Sequence, residues 1–267
     1  ILWDIATGKQ IIKIFGHNSE IQDVVFTKDD KHVITCSRDK TIKMWDIKTG
    51  KEVKSFSGHD DYIWSINLSK DGKYLVSSGQ DKTVRLWDIK KGVLIKTFSG
   101  HRGGVLASYF INTDSDVVSI GFDNNIKYWD LQSGSVVRNI DKKADMIESC
   151  AISKDNRYVV TGNSLGIIKI WNIRDTTIVH RIKTDSKNRI NSLTISPDNS
   201  LIIAGSFKKF YIIDFKTGKI LSEVSGHANS ITAVAISKDN KKIATGCRDK
   251  IINVWEIKSL KLLNFLK

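Results

Sequence analysis

Residues 17–58 read HNSEIQDVVFTKDDKHVITCSRDKTIKMWDIKTGKEVKSFSG, and the pattern of this stretch returns along the whole chain. Its tryptophan, Trp45, stands 42 residues after Trp3; Trp87, Trp129 and Trp171 follow at the same interval, and Trp255 comes two intervals later. Ile213 fills the vacant slot. An acid or its amide follows each one: Asp4, Asp46, Asp88, Asp130, Asn172, Asp214 and Glu256. Upstream, Gly-His recurs as Gly16-His17, Gly58-His59, Gly100-His101 and Gly226-His227. A tryptophan held in register this way marks a repeat array.

Each period reads as four short strands, a to d. Ile21 to Thr27 alternates weakly and ends at the turn Lys28-Asp29-Asp30-Lys31, which later copies write Lys-Asp-Gly or Lys-Asp-Asn. Such pairs tolerate the positive φ of tight hairpins. His32 to Ser37, a turn at Arg38-Asp39-Lys40, Thr41 to Ile47 and Glu52 to Phe56 complete the unit. Alternation with period two runs through it and no 3.6-residue apolar stripe does, so the expected fold class is all-β.

These residues resemble the WD-repeat family of β-propellers. The likeness covers the whole chain and rests on Gly-His, a Ser or Thr on strand b, an Asp, and Trp-Asp. It implies four-stranded blades packed radially about a channel. The implied boundaries are 17–58, 59–100, 101–142, 143–184, 185–226 and 227–267, blades 1 to 6, with residues 1–16 supplying only strands c and d of a further half blade. An a–b hairpin of roughly 26 residues would complete it to seven blades. The expectation is therefore a longer protein that begins mid-blade, the alternative a six-bladed ring with an extra ribbon.

The resemblance further assigns a buried hydrogen-bonded tetrad to four blades: His17, Thr35, Asp39 and Trp45; His59, Ser77, Asp81 and Trp87; His101, Ser119, Asp123 and Trp129; His227, Thr245, Asp249 and Trp255. Asp holds the imidazole, the imidazole meets the hydroxyl, and the hydroxyl meets the indole, so every buried polar group gains a partner. Four copies of a His, hydroxyl and Asp set do not read as a hydrolase, because a nucleophile is needed once and beside an oxyanion hole. No G-x-S-x-G elbow accompanies them. Blade 4 keeps Thr161 and Trp171 but has Lys143 and Leu165 where His and Asp belong. Blade 5 loses the whole set, with Asp185, Ala204, Phe207 or Lys208, and Ile213 in its place.

Other chemistry is thin. The Gly-Lys pairs 8–9, 50–51 and 218–219 lack the remaining glycine and hydroxyl of a phosphate loop. His32 and His180 lie in different strands without cysteine partners, so no metal site and no cofactor are expected. The reading is a non-enzymatic scaffold.

Family geometry aims three positions per blade at the face carrying the d–a and b–c loops: the third and fifth residues after the His slot and the residue before the tetrad Asp. They are Glu20, Gln22 and Arg38; Tyr62, Trp64 and Gln80; Gly104, Leu106 and Phe122; Met146, Glu148 and Ser164; Arg189, Asn191 and Phe207; Ser230, Thr232 and Arg248. Tyr62, Trp64, Leu106, Phe122, Phe207, Arg38, Arg189 and Arg248, with Glu20 and Glu148, have the composition of an interface hot spot for a protein or peptide partner.

The net charge of +13 lies elsewhere. Bases recur in the c–d turns, on strand c (Lys43, Arg85, Lys127, Lys169) and on strand d (Lys54, Lys96, Arg138), which family geometry places on the opposite face and outer rim. The alternative function follows from them: a nucleic-acid- or ribosome-associated module using a basic rim. Lysine supplies 33 of the 42 bases, spread evenly rather than clustered with aromatics, which favours a solvated surface. Nothing approaches the ~18 apolar residues of a membrane span. Three scattered cysteines, Cys36, Cys150 and Cys247, and the lack of a basic-then-apolar leader point to a reducing compartment, the cytoplasm or alternatively the nucleus.

Overall fold

Each period folds as an antiparallel meander because its apolar residues alternate and its turn residues accept left-handed backbone. Asp30, Gly72, Asp114, Asn156, Asn199 and Asn240, one in each a–b turn, all have φ between 54° and 75°. The protein is described here by a computed structural model that covers residues 1–111, 114–141, 146–185 and 188–267. Lys143 lies outside the described residues.

Strands β1 (Leu2–Trp3) and β2 (Gln10–Ile12) form a two-stranded sheet. Blade 1 is β3 (Ile21–Phe26), β4 (His32–Ser37), β5 (Thr41–Asp46) and β6 (Glu52–Ser57). Blade 2 is β7 (Ile63–Leu68), β8 (Tyr74–Gly79), β9 (Thr83–Asp88) and β10 (Val93–Ser99). Blade 3 comprises β11 (Val105–Ile111), β12 (Asp116–Gly121), β13 (Asn125–Asp130) and β14 (Val136–Asp141). Blade 4 comprises β15 (Ile147–Ile152), β16 (Tyr158–Asn163), β17 (Ile167–Asn172) and β18 (Ile178–Lys183). These four sheets each pair in chain order. All strand pairing is antiparallel, with a register shift near each tetrad tryptophan where strand d crosses it, as between Met44 and Trp45.

The last two blades depart from separate four-stranded sheets. Strands β19 (Ser192–Ile195), β20 (Leu201–Gly205), β21 (Phe207–Asp214), β22 (Ile220–Ile236), β23 (Lys242–Cys247), β24 (Ile252–Glu256) and β25 (Leu262–Leu266) make one seven-stranded sheet. The long β22 serves blade 5 with its first residues and blade 6 with its last. The shortened b–c connection of blade 5 explains the fusion. Ser206 N–H bonds Lys209 C=O at 2.9 Å in a tight hairpin, so Phe207 reaches Ser230 and extends the pairing.

The chain divides into two compact units, one holding β2–β14 and the other β15–β25. Within each, successive blades bury their faces against each other. In the first, Ile34, Ile42 and Phe56 of blade 1 pack with Ile63, Leu75 and Trp87 of blade 2, and a like cluster joins blades 2 and 3. In the second, Ile168 and Ile170 meet Tyr211 and Ile213, and Phe210 meets Trp255. Among the described residues, the β3 side of blade 1 exposes apolar side chains. Ile21, Val24 and Phe26 of β3 are each about half exposed, while Ile63 and Ile66, at the first two of these positions in β7, are buried. A cavity of about 300 Å³ lies there against Ile14, Phe15, Val33 and Trp45.

Candidate partner-binding face

The tetrads come first, because they set the loops that carry the face. In blade 1, His17 Nδ1 lies 2.7 Å from Asp39 Oδ2 and Nε2 lies 2.7 Å from Thr35 Oγ1, which accepts the Trp45 indole N–H at 2.8 Å. The same bonds join His59, Asp81, Ser77 and Trp87. They recur in His101, Asp123, Ser119 and Trp129, and in His227, Asp249, Thr245 and Trp255. Each Asp also accepts backbone N–H groups from both loops: Asn18 N at 2.9 Å and Thr41 N at 3.0 Å in blade 1. The carboxylate thus pins the d–a loop to the b–c loop. The repeated glycine has its own cause, since Gly16 has φ of 143° and a Cβ there would lie 2.7 Å from the Trp45 ring.

These bonds fix the charge states. Burial alone would raise Asp39, but the Thr41 hydroxyl, the Asn18 N–H and His17 outweigh it and hold the pKa at about 2. Asp81 and Asp123 are lowered against burial in the same manner. Burial pushes His59 and His101 below their ordinary value despite the neighbouring carboxylates, so these rings are neutral at pH 7. Every tetrad hydroxyl is buried and accepts an indole N–H, so none is open to a substrate.

On the loops so held, the first unit gathers a ledge. Arg38, Tyr62 and Phe122 stand on separate loops, and Trp64 is the second residue of β7. The Arg38 guanidinium lies 5.6 Å from the Tyr62 ring centre and 5.4 Å from that of Trp64, while Glu20 Oε2 holds it at 2.7 Å. Trp64 meets Phe122 edge to face at 5.8 Å and donates its indole N–H to Gln80 Oε1 at 3.1 Å. Gly104 makes room for that anchor: a Cβ there would fall 2.5 Å from Gln80 Oε1. Tyr62 and Phe122 are about 40% exposed, so the ledge presents aromatic surface to solvent. Leu106 is half-buried on β11.

The second unit carries a separate and looser set. Glu148 pairs with Arg189 at 3.3 Å, Phe207 is exposed beneath the Lys208 ammonium, and Arg248 is exposed on its turn. Met146 and Leu165 are the most exposed apolar side chains beside them.

The expected basic rim needs correction on strand c. Lys43, Arg85, Lys127 and Lys169 stand two residues before the tetrad tryptophans, hence on the same inward sheet face. Arg85 is 8% exposed and bonds Asp60 at 3.2 Å and Asp81 at 3.4 Å; Lys127 is 9% exposed. Lys43 pairs with Glu52 at 2.6 Å and lies over Trp45, as Lys169 lies over Trp171. Strand-d bases are also engaged. Lys54 Nζ donates to Ile89 and Lys90 carbonyls of the next blade's turn, and Lys96 Nζ to those of Leu131 and Gln132. His180 repeats the contact on the Lys216 carbonyl at 2.8 Å. Of the seven named strand bases, Lys54 and Lys96 fasten one blade to the next, and Lys43, Arg85 and Lys169 are engaged within their own blades.

Three polar residues were missed from sequence. Asp23 of β3 is half-buried and accepts hydrogen bonds from Ser65 Oγ and Ile66 N at 3.0 Å each, tying blade 1 to blade 2; desolvation of the carboxylate raises its pKa. In blade 4, Asn163 Oδ1 accepts the Ile167 amide, which a tetrad Asp would serve, and also the Leu165 amide, whose counterpart at Asp39 is taken by Ser37 Oγ in blade 1. In blade 5, Tyr211 O–H donates to Asp185 Oδ1 at 2.8 Å and Lys209 bridges Asp185 and Glu223. Asn163 and Tyr211 each stand two places before an expected slot, a spacing that does not reveal their partners, and Asp23 stands at no such spacing.

Four-stranded antiparallel units locked by a His–hydroxyl–indole chain define a blade-repeat scaffold. The chain belongs to the WD-repeat family: the model of the WD domain, G-beta repeat matches residues 8–46, 50–88, 92–130, 134–172, 176–209 and 218–256. It is similar to autophagy-related protein 16 of Arabidopsis thaliana, 28% identical over 125 residues, which is 46% of this chain and 24% of that protein. It is 31% identical over 128 residues to the WD repeat-containing protein 26 homolog of Arabidopsis thaliana, covering 46% of this chain and 22% of the relative. To the guanine nucleotide-binding protein subunit beta of Schizosaccharomyces pombe it is 28% identical over 96 residues, 36% and 32% of the two chains. The chain thus spans less than a third of the length of these relatives. Domains of this family generally serve as non-enzymatic scaffolds that bind proteins. Among the described residues no helix is long and apolar enough to cross a membrane.

Proposed function

We propose that the ledge of Tyr62, Trp64, Phe122 and Arg38 is a docking site for a protein or peptide segment, and that the chain acts as an adaptor without catalysis of its own. One observation carries the reading: Trp64 is held rigid by Gln80, Phe122 and Arg38, yet borders exposed aromatic surface. A rigid aromatic anchor next to arginine binds with little loss of side-chain freedom, which is the physics of a hot spot. Cys36, Cys150 and Cys247 form no disulfide among the described residues, which supports a reducing compartment, the cytoplasm in this reading. The basic-rim reading is weakened, since Arg85, Lys127, Lys54 and Lys96 are engaged inside or between blades.

Affinity capture with the wild-type chain beside Trp64→Ala is the test. The variant should lose about 2 kcal/mol of partner affinity, roughly 30-fold, with an unchanged melting temperature. Equal recovery of the same partners by both proteins would end the proposal.

A further inference from the structure

The four Gly-His blades share a His–Asp pair but differ two places before the aspartate, where they carry Ser37, Gly79, Gly121 and Cys247. That slot abuts the imidazole. A Cβ added at Gly79 would lie 3.0 Å from His59 Nδ1, and one at Gly121 2.5 Å from His101 Nδ1. Blade 6 places a thiol there. Among the described residues, His227, Cys247 and Asp249 bring a ring nitrogen, a sulfur and a carboxylate oxygen within 4.8 Å of one another. We propose that these three side chains bind a zinc ion, with water as the fourth ligand.

Donor chemistry selects the ion. Imidazole, thiolate and carboxylate together suit tetrahedral zinc, whereas magnesium and calcium take oxygen ligands. Zinc bonds of about 2.0–2.3 Å set ligand atoms roughly 3.2–3.8 Å apart. His227 Nδ1 and Asp249 Oδ2 are 3.0 Å apart and open slightly to admit the ion, while the ligand atoms, within 4.8 Å of one another, draw together around it. Cys247 Sγ accepts the Asp249 N–H at 3.4 Å, the bond that Ser37 Oγ makes with Asp39 N at 3.1 Å in blade 1. His227 is buried, while Cys247 and Asp249 are half-buried on the b–c turn, which leaves a route for water from that side.

The second shell is in place. His227 Nε2 lies 2.8 Å from Thr245 Oγ1, whose other neighbours are the Trp255 indole N–H at 2.9 Å and the Asn253 carbonyl at 3.5 Å. When zinc takes Nδ1, the ring proton moves to Nε2 and is donated to Thr245, and the Thr245 hydroxyl turns to the Asn253 carbonyl. The thiol proton leaves to solvent, one per zinc bound. Such an oriented imidazole is the usual partner shell of a metal-bound histidine. The tryptophan lock survives the exchange. Sequence spacing concealed the site because His227 and Cys247 are 20 residues apart and form no metal motif.

The experiment titrates the metal-stripped chain with cobalt(II) and then zinc. One cobalt per chain should give a thiolate-to-metal charge-transfer band that one equivalent of zinc removes. Cys247→Ser, which installs the blade 1 residue, should fold as the wild type does without metal, lose the band, and bind zinc at least about tenfold more weakly against a chromophoric chelator. Cys150→Ser should keep both properties. A wild-type chain that gives no thiolate band, or a band that persists in folded Cys247→Ser, overturns the site.

Discussion

Blade 2 and blade 5 share a four-stranded meander and have opposite interiors. In blade 2, Ser77 gathers the His59 ring and the Trp87 indole, and Asp81 ties the ring to both loops. In blade 5 the corresponding Ala204 and Ile213 are apolar and fully buried, and Asp185 bonds outward to Tyr211 and Lys209. The contrast teaches that a buried polar group is kept with a partner or removed together with it, since an orphaned member costs about 1–3 kcal/mol. Blade 4 shows the intermediate: Trp171 still donates to Thr161 at 2.8 Å, and Asn163 takes over the turn amides. The molecule therefore has two ways to close a blade, one hydrogen-bonded and one oily.

The largest test of that contrast is deletion of the central side chain in each blade. Trp87→Ala should cost about 3–5 kcal/mol in denaturant unfolding, and Ile213→Val only about 0.5–1.5 kcal/mol. Equal losses would mean that blade 2 does not depend on its lock. A smaller effect comes from removing one polar partner on each side. Ser77→Ala strands a ring nitrogen and an indole N–H in the core and should cost about 1–3 kcal/mol. Tyr211→Phe removes one hydrogen bond to an exposed carboxylate and should cost about 0.5–1.5 kcal/mol; a larger loss there than in blade 2 would reverse the reading.

The slightest effect per residue is the response to acid. His59 and His101 are held below their ordinary value of 6.5, so the unfolded chain takes up their protons first and stability falls as pH drops below about 6.5. Asp39, held at about 2, contributes stability that is present above its ordinary 3.8 and lost as pH falls through that value toward 2. Blade 5 has only the second kind of group, with Asp185 lowered to about 2 chiefly by the Tyr211 hydroxyl. Urea midpoints measured from pH 7.5 to 3 should decline in two stages. A flat profile between 7 and 5 would show that the tetrad rings are not held neutral.

Much of this was legible in the residues. Trp45 and its copies gave the period, and His17, Thr35 and Asp39 fell at positions that the structure joins by bonds of 2.7–2.8 Å. Tyr62 and Phe122, 60 residues apart on separate loops, meet Trp64 of β7 in one ledge. Less was legible for charged groups. Arg85 and Lys54 look alike as surface bases in sequence, yet one is buried on two aspartates and the other caps a neighbouring turn. Asp23 and Tyr211 found partners that no spacing announced.

Sequence alone determined the repeat and the strand order within a blade, because local alternation, turn chemistry and a fixed period are properties of neighbouring residues, and the resemblance to the WD-repeat family assigned the residues of each lock. Only the tertiary structure decided which charges remain free, which apolar side chains stay exposed, how Arg38 settles over Trp64, and that Cys247 faces a histidine and an aspartate. Those outcomes depend on distances between side chains from different loops and blades, and such distances exist only once the sheets have packed.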